Sequence, residues 1–521
     1  MNLIVSFLPI ILPFIFLVLL KMPAKRGMLY SFILVLVAAF FVWGMNSNIL
    51  VASMMQGAHK ALGILIILFG AIMLMNTLKL NGAINRINIG FSNLTNDQRV
   101  LAIIIGYLFG ALIEGVSGFG TPAVVVGPLL VALGFTPISA ATIALISNSV
   151  PVPFAAVGTP IEIGLSNVGN TTEFFNNIGL IITQLDFLAG IFMPTIVVFI
   201  YIKFFMVKKT RRTYIEILPW TMFIGFMYTV LAYIFARTIG YQFVTIGTSL
   251  SMLFIATLSV KYRFLLPKIV KENDDIKSLY ESKMSLLTAW SPYLLVVLIL
   301  VLSRTIEPLK NIFINLIDLS LNNILNFETV NSSLNLLYSP GFILTFVAVI
   351  SVFIQKANKK NIKTASIISL KTIKTAALTL LPTLAMVQIF TNSGINTLEL
   401  VSMPVYLATN LGKQLNGVWL LLASYVGELG SFITGSATVS ALTFSSVQQQ
   451  IALEYALNKE VVLALGVMGG AAGNMICVHN IVSVSAVVGT ENQEGLIIRK
   501  TVLPALLYAL LVGISALIFF W

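Results

Sequence analysis

A long apolar stretch that is repeatedly interrupted, residues 110–160, most constrains how this chain can fold. It contains seven glycines and six prolines, and Glu114 is its one carboxylate. Non-helical backbone in a lipid bilayer leaves N–H and C=O groups without partners, so a simple spanning helix tolerates few such breaks. A stretch with this many breaks is expected to be buried in protein or to line a watery cavity. A carboxylate at membrane depth is by default a candidate functional group.

The composition places the chain in a membrane. Of its 521 residues, 58% are hydrophobic and 10% are charged, whereas about a quarter of the residues of a soluble protein are charged. The first apolar run has no basic residue before it and no small-residue cleavage site, so it is predicted to be an uncleaved helix. Apolar runs of spanning length recur along the chain. The predicted fold class is an all-α polytopic membrane protein with about 12–14 transmembrane helices.

The net charge of +12 indicates membrane topology rather than a nucleic-acid partner. About 25 of the 31 basic residues lie at Lys203 and in predicted loops at 21–26, 79–99, 208–212, 261–283, 356–374 and 499–500. Basic loops stay on the cytoplasmic side. This assignment alternates without conflict and predicts both termini outside, with the lipid bilayer as the partner and no nucleic acid.

The predicted topology divides the chain into two halves of opposite orientation. Each half has three spans, an interrupted block (100–176 or 417–496) and one further span. Residues 1–208 are predicted to form the first inverted repeat, 286–521 the second, and 209–285 two linking helices with a cytoplasmic loop. Inverted repeats with broken helices or re-entrant hairpins are a common plan of secondary transporters. An ungapped overlay of 114–123 on 428–437 aligns Glu114 with Glu428 and supports the duplication weakly.

Hydroxyl and amide side chains cluster at the predicted breaks. Broken helices expose N-terminal N–H groups, which attract anions. The predicted substrate-binding side chains are Ser117, Thr121, Ser147 and Asn148 in the first block, and Ser431, Thr434, Ser436, Thr438, Asn474 and His479 in the second. Ser149, Thr159 and Asn480 belong to the same polar groups without an assigned role. Neither block contains an arginine, and this favours a small, singly charged anion over a dicarboxylate or phosphate.

Three acidic residues at membrane depth are candidates for proton coupling: Glu114, Glu428 and Asp186. A carboxylate in a low-dielectric environment can exchange protons near neutral pH, which would suit proton-coupled uptake of an anion. Other roles remain open: Glu114 as a partner for bent backbone, and Glu428 and Asp186 as residues at helix ends. For His479, a packing role and a ligand role are both open.

The scarcity of cysteine and histidine argues against a metal or disulfide framework. One cysteine and two histidines cannot build a cysteine or histidine metal cluster, and no metal or cofactor is predicted. Residues 115–118, Gly-Val-Ser-Gly, match the G-x-S-G of rhomboid-type intramembrane proteases, with His479 as a conceivable base. This intramembrane serine hydrolase is retained as an alternative. It is disfavoured because the chain has more spans than a protease core needs, and the chain is predicted not to be an enzyme.

Several motifs in order resemble the L-lactate permease family. In the first half these are residues 113–122 (IEGVSGFGTP), 134–137 (GFTP) and 148–161 (NSVPVPFAAVGTPI). In the second half they are residues 429–438 (LGSFITGSAT), 473–477 (GNMIC), 487–489 (VVG), 494–495 (EG) and 499–501 (RKT). The chain departs from some members at Ala437, Ala441 and Asn474. The resemblance covers nearly the whole chain.

This resemblance implies uptake of L-lactate and glycolate with a proton across a bacterial plasma membrane. It also implies kinship with ion-transporter folds that carry two inverted repeats. Carried over residue by residue, it adds Gly118 and Gly120 beside Glu114, and Gly435 beside Ser436, to the predicted substrate-binding set. A sodium-coupled or dicarboxylate carrier of a related family is the alternative within transport. No oligomeric state is predicted.

Overall fold

A computed structural model describes residues 2–20, 22–118, 120–207, 209–267, 284–414 and 418–520. Within these ranges the chain is helical and has no β-strand. Short π-helical segments, Phe14–Leu19 and Ala102–Phe109, continue two of the helices. The α-helices of the described residues, α1 to α22 in chain order, are Asn2–Pro13, Ala24–Phe41, Ser47–Leu80, Ala83–Leu94, Gln98–Leu101, Gly110–Ser117, Thr121–Ala132, Pro137–Ser147, Ala155–Glu162, Thr172–Phe205, Arg211–Thr238, Val244–Lys261, Leu286–Thr305, Glu307–Asn315, Pro340–Ile354, Lys360–Thr391, Met403–Gln414, Trp419–Thr434, Ala437–Glu454, Lys459–Asn474, Val478–Val488 and Glu494–Phe520.

The prediction of an all-α, multi-pass membrane protein is confirmed. By length and composition, nine helices of the described residues could cross a membrane, or ten if a pair bent by 67° counts as one span. Four further apolar helices are shorter than a full span, which is why this number lies below the predicted 12–14. The nine are Ser47–Leu80, Gln98–Ser117, Thr172–Phe205, Arg211–Thr238, Tyr241–Lys261, Leu286–Ser303, Ala376–Gly394, Lys459–Val488 and Glu494–Phe520.

The first interrupted block breaks where glycine and proline predict it. The buried helix Gln98–Ser117 ends at Gly118 (φ 59°), and Gly120 (φ 75°) precedes α7. Positive φ angles of this kind favour glycine because a Cβ would clash with the backbone. The bent pair follows: α8 ends at Ser147, and the chain resumes at Val152 after Pro151. The block is therefore two helix pairs, each with a break between its members.

The second block has the same order of elements. Helix α18 ends at Gly435 (φ 70°), and the Ser436 side chain caps α19 by accepting from the Val439 N–H. Helix α20 ends at Asn474, and α21 begins at Val478 after a short break. Both blocks thus contain one broken pair that turns at a glycine and a second broken pair that follows it.

Glycines allow the helices of the second block to touch. A Cβ on Gly427 of α18 would lie 2.0 Å from the Gly466 carbonyl oxygen of α20, and one on Gly469 would lie 1.8 Å from the Ser424 carbonyl oxygen. Small residues permit such backbone contact between membrane helices. This contact holds α18 and α20 together and positions the ends of both helices.

The two halves of the chain contact one another through several helix pairs. Helix α3 packs on α15 and α16, and α10 packs on α22. Between the blocks, α21 packs against α7 and α8, and α9 packs against α19. The second block therefore inserts into the first rather than lying apart from it.

Connecting segments complete the fold. The two predicted linking helices are α11 and α12; residues 268–283 of the charged loop that follows lie outside the described residues. Residues 306–338 contain the short helix α14 and a 3-10 turn, Ile324–Asn326. The chain then folds back through isolated bridges between Asp318 and Asn335 and between Leu321 and Ser332.

Candidate functional site

The first break, at residues 118–120, is contacted by a residue of the second block. A Cβ on Gly120 would lie 2.4 Å from Asn480 Oδ1, so the amide of α21 lies directly against the glycine that precedes α7. On the other side of the break, a Cβ on Gly118 would lie 3.2 Å from the Ala156 Cβ. Only glycine leaves room for these neighbours at both positions. From the sequence, Asn480 was identified as a polar residue near a break, but its contact with the first break was not predicted.

Glu114 lies one helical turn before this break. It is 1% exposed, and the Asn148 side chain, at the end of α8, serves as its hydrogen-bond donor. Its Oε2 has no hydrogen-bond partner among the described residues. Glu114 and Asn148 were both predicted to belong to the site, and the structure brings them together.

Three buried serine and threonine hydroxyls of the first block have no partner in the described part of the chain, one beside Gly120 and two at the end of α8. Thr121, Ser147 and Ser149 are buried, and their hydroxyl oxygens have no hydrogen-bond partner among the described residues. Buried polar atoms are nearly always satisfied in folded proteins, and hydroxyls without a partner among the described residues also occur away from the breaks, for example at Thr248 and Ser515. By contrast, the Ser117 hydroxyl donates to the Ile113 carbonyl 2.8 Å away, within its own helix.

The second break is built around Gly435. The Thr434 hydroxyl donates to the Gly430 carbonyl oxygen (2.8 Å) and is 3.2 Å from the Ser436 carbonyl oxygen. A Cβ on Gly435 would lie 1.6 Å from His479 Cε1. The imidazole of His479 therefore occupies the space that any other side chain at position 435 would need. Thr438 lies in the first turn of α19 and is half-buried.

The first turn of α21 joins the two breaks. His479 packs against Gly435 of the second break, and the next residue, Asn480, packs against Gly120 of the first. Cys477 precedes the helix, and its sulfur lies 3.4 Å from His479 Nδ1. The Asn480 amide donates to the Asn474 carbonyl oxygen at 3.3 Å. The two interruptions thus meet at one helix end.

At each break, an asparagine side chain contacts the helix that ends there. Glu114 is four residues before Gly118, and its partner Asn148 ends α8. Ser431 is four residues before Gly435, and its hydroxyl donates to Oδ1 of Asn474, the last residue of α20, at 2.8 Å. In each block, an asparagine is therefore hydrogen-bonded to the residue four positions before the break glycine. That residue is a glutamate in the first block and a serine in the second.

Glu428 is buried without a polar contact. It is 3% exposed, and neither carboxylate oxygen has a hydrogen-bond partner among the described residues. It lies seven residues before Gly435, about 10 Å along the helix at 1.5 Å per residue. The carboxylate is therefore farther from its break than Glu114 is from the first one.

Asp186 lies in a separate polar cluster. Its Oδ1 accepts a 2.9 Å hydrogen bond from the Tyr508 hydroxyl of α22. The rings of Tyr107 and Tyr228 are 5.3 Å apart, and both tyrosines interact electrostatically with Asp186. Among the described residues, the contacts of Asp186 join α10 to α11, α22 and the segment Ala102–Phe109, and none of them is to a residue of either break.

The charges near the breaks favour an anion. Helices α7 and α21 both begin at a break. In α7 the Thr121 N–H donates to the Gly118 carbonyl oxygen at 3.1 Å and Pro122 has no N–H, and in α21 the backbone N–H groups of His479 and Asn480 donate to the Cys477 sulfur. The N-terminus of a helix carries a partial positive charge. The three ion pairs found among the described residues, Arg99–Asp97, Arg212–Glu216 and Lys310–Glu307, lie elsewhere. Backbone N–H groups, hydroxyls and amides, rather than a guanidinium, are the groups available to a ligand.

The hydrolase alternative does not fit these contacts. Ser117 donates to its own helix, while His479 lies against Gly435 and Cys477. A serine nucleophile requires a base within hydrogen-bonding reach, and no Ser117–His479 hydrogen bond is present in the described part of the chain.

Comparison with known proteins agrees with this arrangement. The family model of the L-lactate permeases matches residues 2–521. A Haemophilus influenzae protein classed with the L-lactate permeases is 30% identical over 99% of this chain and 98% of its own length. The L-lactate permease of Bacillus subtilis is 26% identical (98% and 95%), and the glycolate permease GlcA of Escherichia coli is 25% identical (99% and 95%). The chain is a multi-pass membrane transporter, not an enzyme, and it belongs to the L-lactate permease family.

Proposed function

We propose that this chain imports L-lactate, glycolate and similar 2-hydroxymonocarboxylates by proton symport across a bacterial plasma membrane. The observation that carries the proposal is the meeting of both helix breaks at the first turn of α21. The names of the relatives, L-lactate permease and glycolate permease, support the substrate class. Import is the direction expected of a symporter driven by an inward proton gradient.

A single carboxylate is the ligand that this site suits. The N-termini of α7 and α21 both lie at a break, and the positive end of the helix dipole attracts a carboxylate. The partnerless hydroxyls of Thr121, Ser147 and Ser149 can accept from or donate to the 2-hydroxyl group. Two of the predicted substrate-binding residues, Thr121 and His479, lie in the first turns of these helices, and Asn480 is added to the proposed set because of its contact with Gly120.

The proton is assigned to a buried carboxylate. An ionised carboxylate buried without a cation is costly, and none of the ion pairs among the described residues involves Glu114, Glu428 or Asp186. Glu114 is the first candidate because it lies one turn from the break and contacts Asn148. A proton on Glu114 would reduce the free-energy cost of burying the anionic substrate at the break. The bound substrate would in turn reduce the cost of burying the proton.

Inverted repeats are proposed for residues 1–208 and 286–521. Contacts between the halves occur in exchanged pairs: α2 with α16 and α15 with α3, α1 with α17 and α13 with α4, α10 with α20 and α22 with α8. A two-fold relation between the halves generates such exchanges. The equal spacing of Glu114 to Gly118 and of Ser431 to Gly435 favours an alignment shifted by three residues from the ungapped overlay. Ser431, rather than Glu428, then corresponds to Glu114.

Transport by the purified protein tests this function. Proteoliposomes are supplied with labelled L-lactate or glycolate under an imposed pH gradient, an imposed sodium gradient or neither. We expect accumulation with the pH gradient alone, together with proton entry that depends on lactate. Accumulation that requires sodium would favour the sodium-coupled alternative, and succinate uptake without lactate uptake would favour a dicarboxylate carrier.

A further inference from the structure

Lysine side chains from two helices converge on one aromatic ring at the end of α10. Lys203 Nζ lies 5.4 Å from the centroid of the Phe204 ring, and Lys500 Nζ of α22 lies 4.3 Å from the same centroid. Both distances are within the range of a cation–π interaction, about 6 Å. Lys209, in the connection to α11, donates from Nζ to the Lys203 carbonyl oxygen at 2.6 Å. These three residues, Lys203, Lys209 and Lys500, form the lysine cluster.

The lysine cluster has no carboxylate partner among the described residues. None of the three ion pairs found there contains one of its lysines. The acidic side chains at the starts of the neighbouring helices α5 and α11 are already paired, Asp97 with Arg99 and Glu216 with Arg212. Like charges that lie close together repel each other. The cluster therefore favours an anionic partner that the chain itself does not supply.

The helix dipole explains only part of this arrangement. A cation in the last turn of a helix is stabilised by the negative end of the dipole, and Lys203 lies in the last turn of α10. Lys500 lies in the second turn of another helix, α22, at the end where the dipole is positive. The dipole of α22 therefore does not account for the position of Lys500.

Exposed hydrophobic side chains adjoin the lysine cluster. Phe204 is 41% exposed, and Leu496 and Leu503 of α22 are 43% and 60% exposed. These leucines are four residues before and three residues after Lys500, so all three side chains lie on one face of the helix. Helix α22 is long and apolar enough to cross a membrane, and an exposed apolar face on such a helix is a surface for lipid. Ammonium groups beside an apolar face suit a ligand that is both anionic and apolar.

We propose that the lysine cluster binds the headgroup of an anionic phospholipid whose acyl chains lie along the exposed face of α22. Basic side chains at a membrane surface attract anionic headgroups. The cluster lies in segments predicted to be cytoplasmic, where basic residues concentrate. Because Lys203 belongs to α10 and Lys500 to α22, the bound lipid would hold together two helices from different halves of the chain. The inference does not depend on which solute the chain transports.

Native mass spectrometry of the full chain in detergent tests the proposal by competing phosphatidylglycerol against phosphatidylcholine with the same acyl chains. Wild type should retain phosphatidylglycerol preferentially. The double variant Lys203→Gln, Lys500→Gln should lower the affinity for phosphatidylglycerol relative to phosphatidylcholine by about 30-fold. This corresponds to about 2 kcal/mol, the contribution expected of two lysines near a membrane surface. The double variant Lys203→Arg, Lys500→Arg keeps both charges and should keep the preference.

The double variant Lys359→Gln, Lys360→Gln is the matched control. Both lysines are exposed and lie in another segment predicted to be cytoplasmic. Lys359 Nζ lies 5.6 Å from the centroid of the exposed Phe353 ring, so the control removes the same charge and also one cation–π contact. It should leave the lipid preference unchanged. An equal loss of preference in the control and in Lys203→Gln, Lys500→Gln would overturn a specific role for the lysine cluster.

Inorganic phosphate separates a lipid site from a site for a free anion. Phosphate carries the same kind of negative charge but cannot use the apolar face of α22, so an equimolar amount should not displace phosphatidylglycerol. Displacement by equimolar phosphate would assign the cluster to a free anion and overturn the proposal. Equal retention of phosphatidylglycerol and phosphatidylcholine by wild type would also overturn it, and neither result would bear on lactate transport.

Discussion

Hydroxyls near the breaks are the proposed contacts of the ligand. Thr121, Ser147 and Ser149 are buried with hydroxyls that have no partner among the described residues. Leaving a buried polar group unsatisfied costs about 1–3 kcal/mol. We therefore expect bound substrate to supply partners to these hydroxyls.

Glu114→Gln should abolish lactate accumulation driven by a pH gradient while exchange of lactate across the membrane persists. The glutamine keeps the size and the contact with Asn148 but cannot release a proton. Accumulation and counterflow exchange are both measured in proteoliposomes. Glu428→Gln is the matched control in the other block, because Glu428 is equally buried but has no such partner among the described residues. Unchanged accumulation in Glu114→Gln would remove this residue as the proton carrier.

Tyr508→Phe should destabilise the protein by about 1–3 kcal/mol, because it leaves the Asp186 oxygen buried without its donor. Thermal unfolding in detergent measures the loss. Asp186→Asn, whose side-chain oxygen can still accept from Tyr508, should be tolerated better. If Asp186→Asn also retains pH-driven accumulation, Asp186 serves the contact between α10 and α22 and not proton coupling.

At the scale of elements, the first turn of α21 decides the geometry of the site. Its consecutive residues His479 and Asn480 touch Gly435 and Gly120, which belong to different halves of the chain. Helix ends can approach in this way only because both glycines have positive φ and no side chain. A change at either glycine should therefore act on the site through α21.

Gly435→Ala should weaken lactate binding by displacing the His479 ring, which lies within 2 Å of the added Cβ position. Gly489→Ala is the matched control: Gly489 has a similar φ of 79°, but its added Cβ would meet nothing within 4 Å among the described residues. Both variants share a backbone cost of about 1–2 kcal/mol. Substrate-dependent protection against thermal unfolding should be lost only in Gly435→Ala; equal protection in both variants would contradict a binding role for this break.

The whole molecule is organised by contacts that its two halves exchange. Helix α3 contacts α15 and α16, α10 contacts α22, and α21 inserts against α7 and α8. The site thus depends on the association of both halves, since neither half alone contains both breaks. Charge asymmetry between the loops predicts how this assembly is oriented in the membrane.

Cysteine accessibility tests that orientation. In a Cys477→Ala background, which removes the single cysteine, Asn170→Cys should react with a membrane-impermeant maleimide in intact cells. Lys209→Cys should react only after permeabilisation, because its loop is predicted to be cytoplasmic. Both positions are exposed, so burial does not limit the reaction. The reverse labelling pattern would invert the proposed topology and place both termini inside.

Much of the fold could be predicted from local properties of the chain. Long apolar runs, together with the many glycines and prolines of residues 110–160, predicted membrane helices and breaks that the structure contains. Sequence spacing did not show that Asn480 reaches Gly120, because these residues are 360 positions apart. The ungapped overlay of the two blocks favoured Glu428 as the counterpart of Glu114. The number of residues to the break glycine, which is the same for Glu114 and Ser431, favours Ser431 instead.

By itself, the sequence determined the membrane environment and the regions in which helices break, because hydropathy, glycine and proline act within a few residues. Only the tertiary structure decided which breaks meet and which carboxylates have partners. Those outcomes depend on helix packing between the halves, where Gly120 and Gly435 leave room for the first turn of α21.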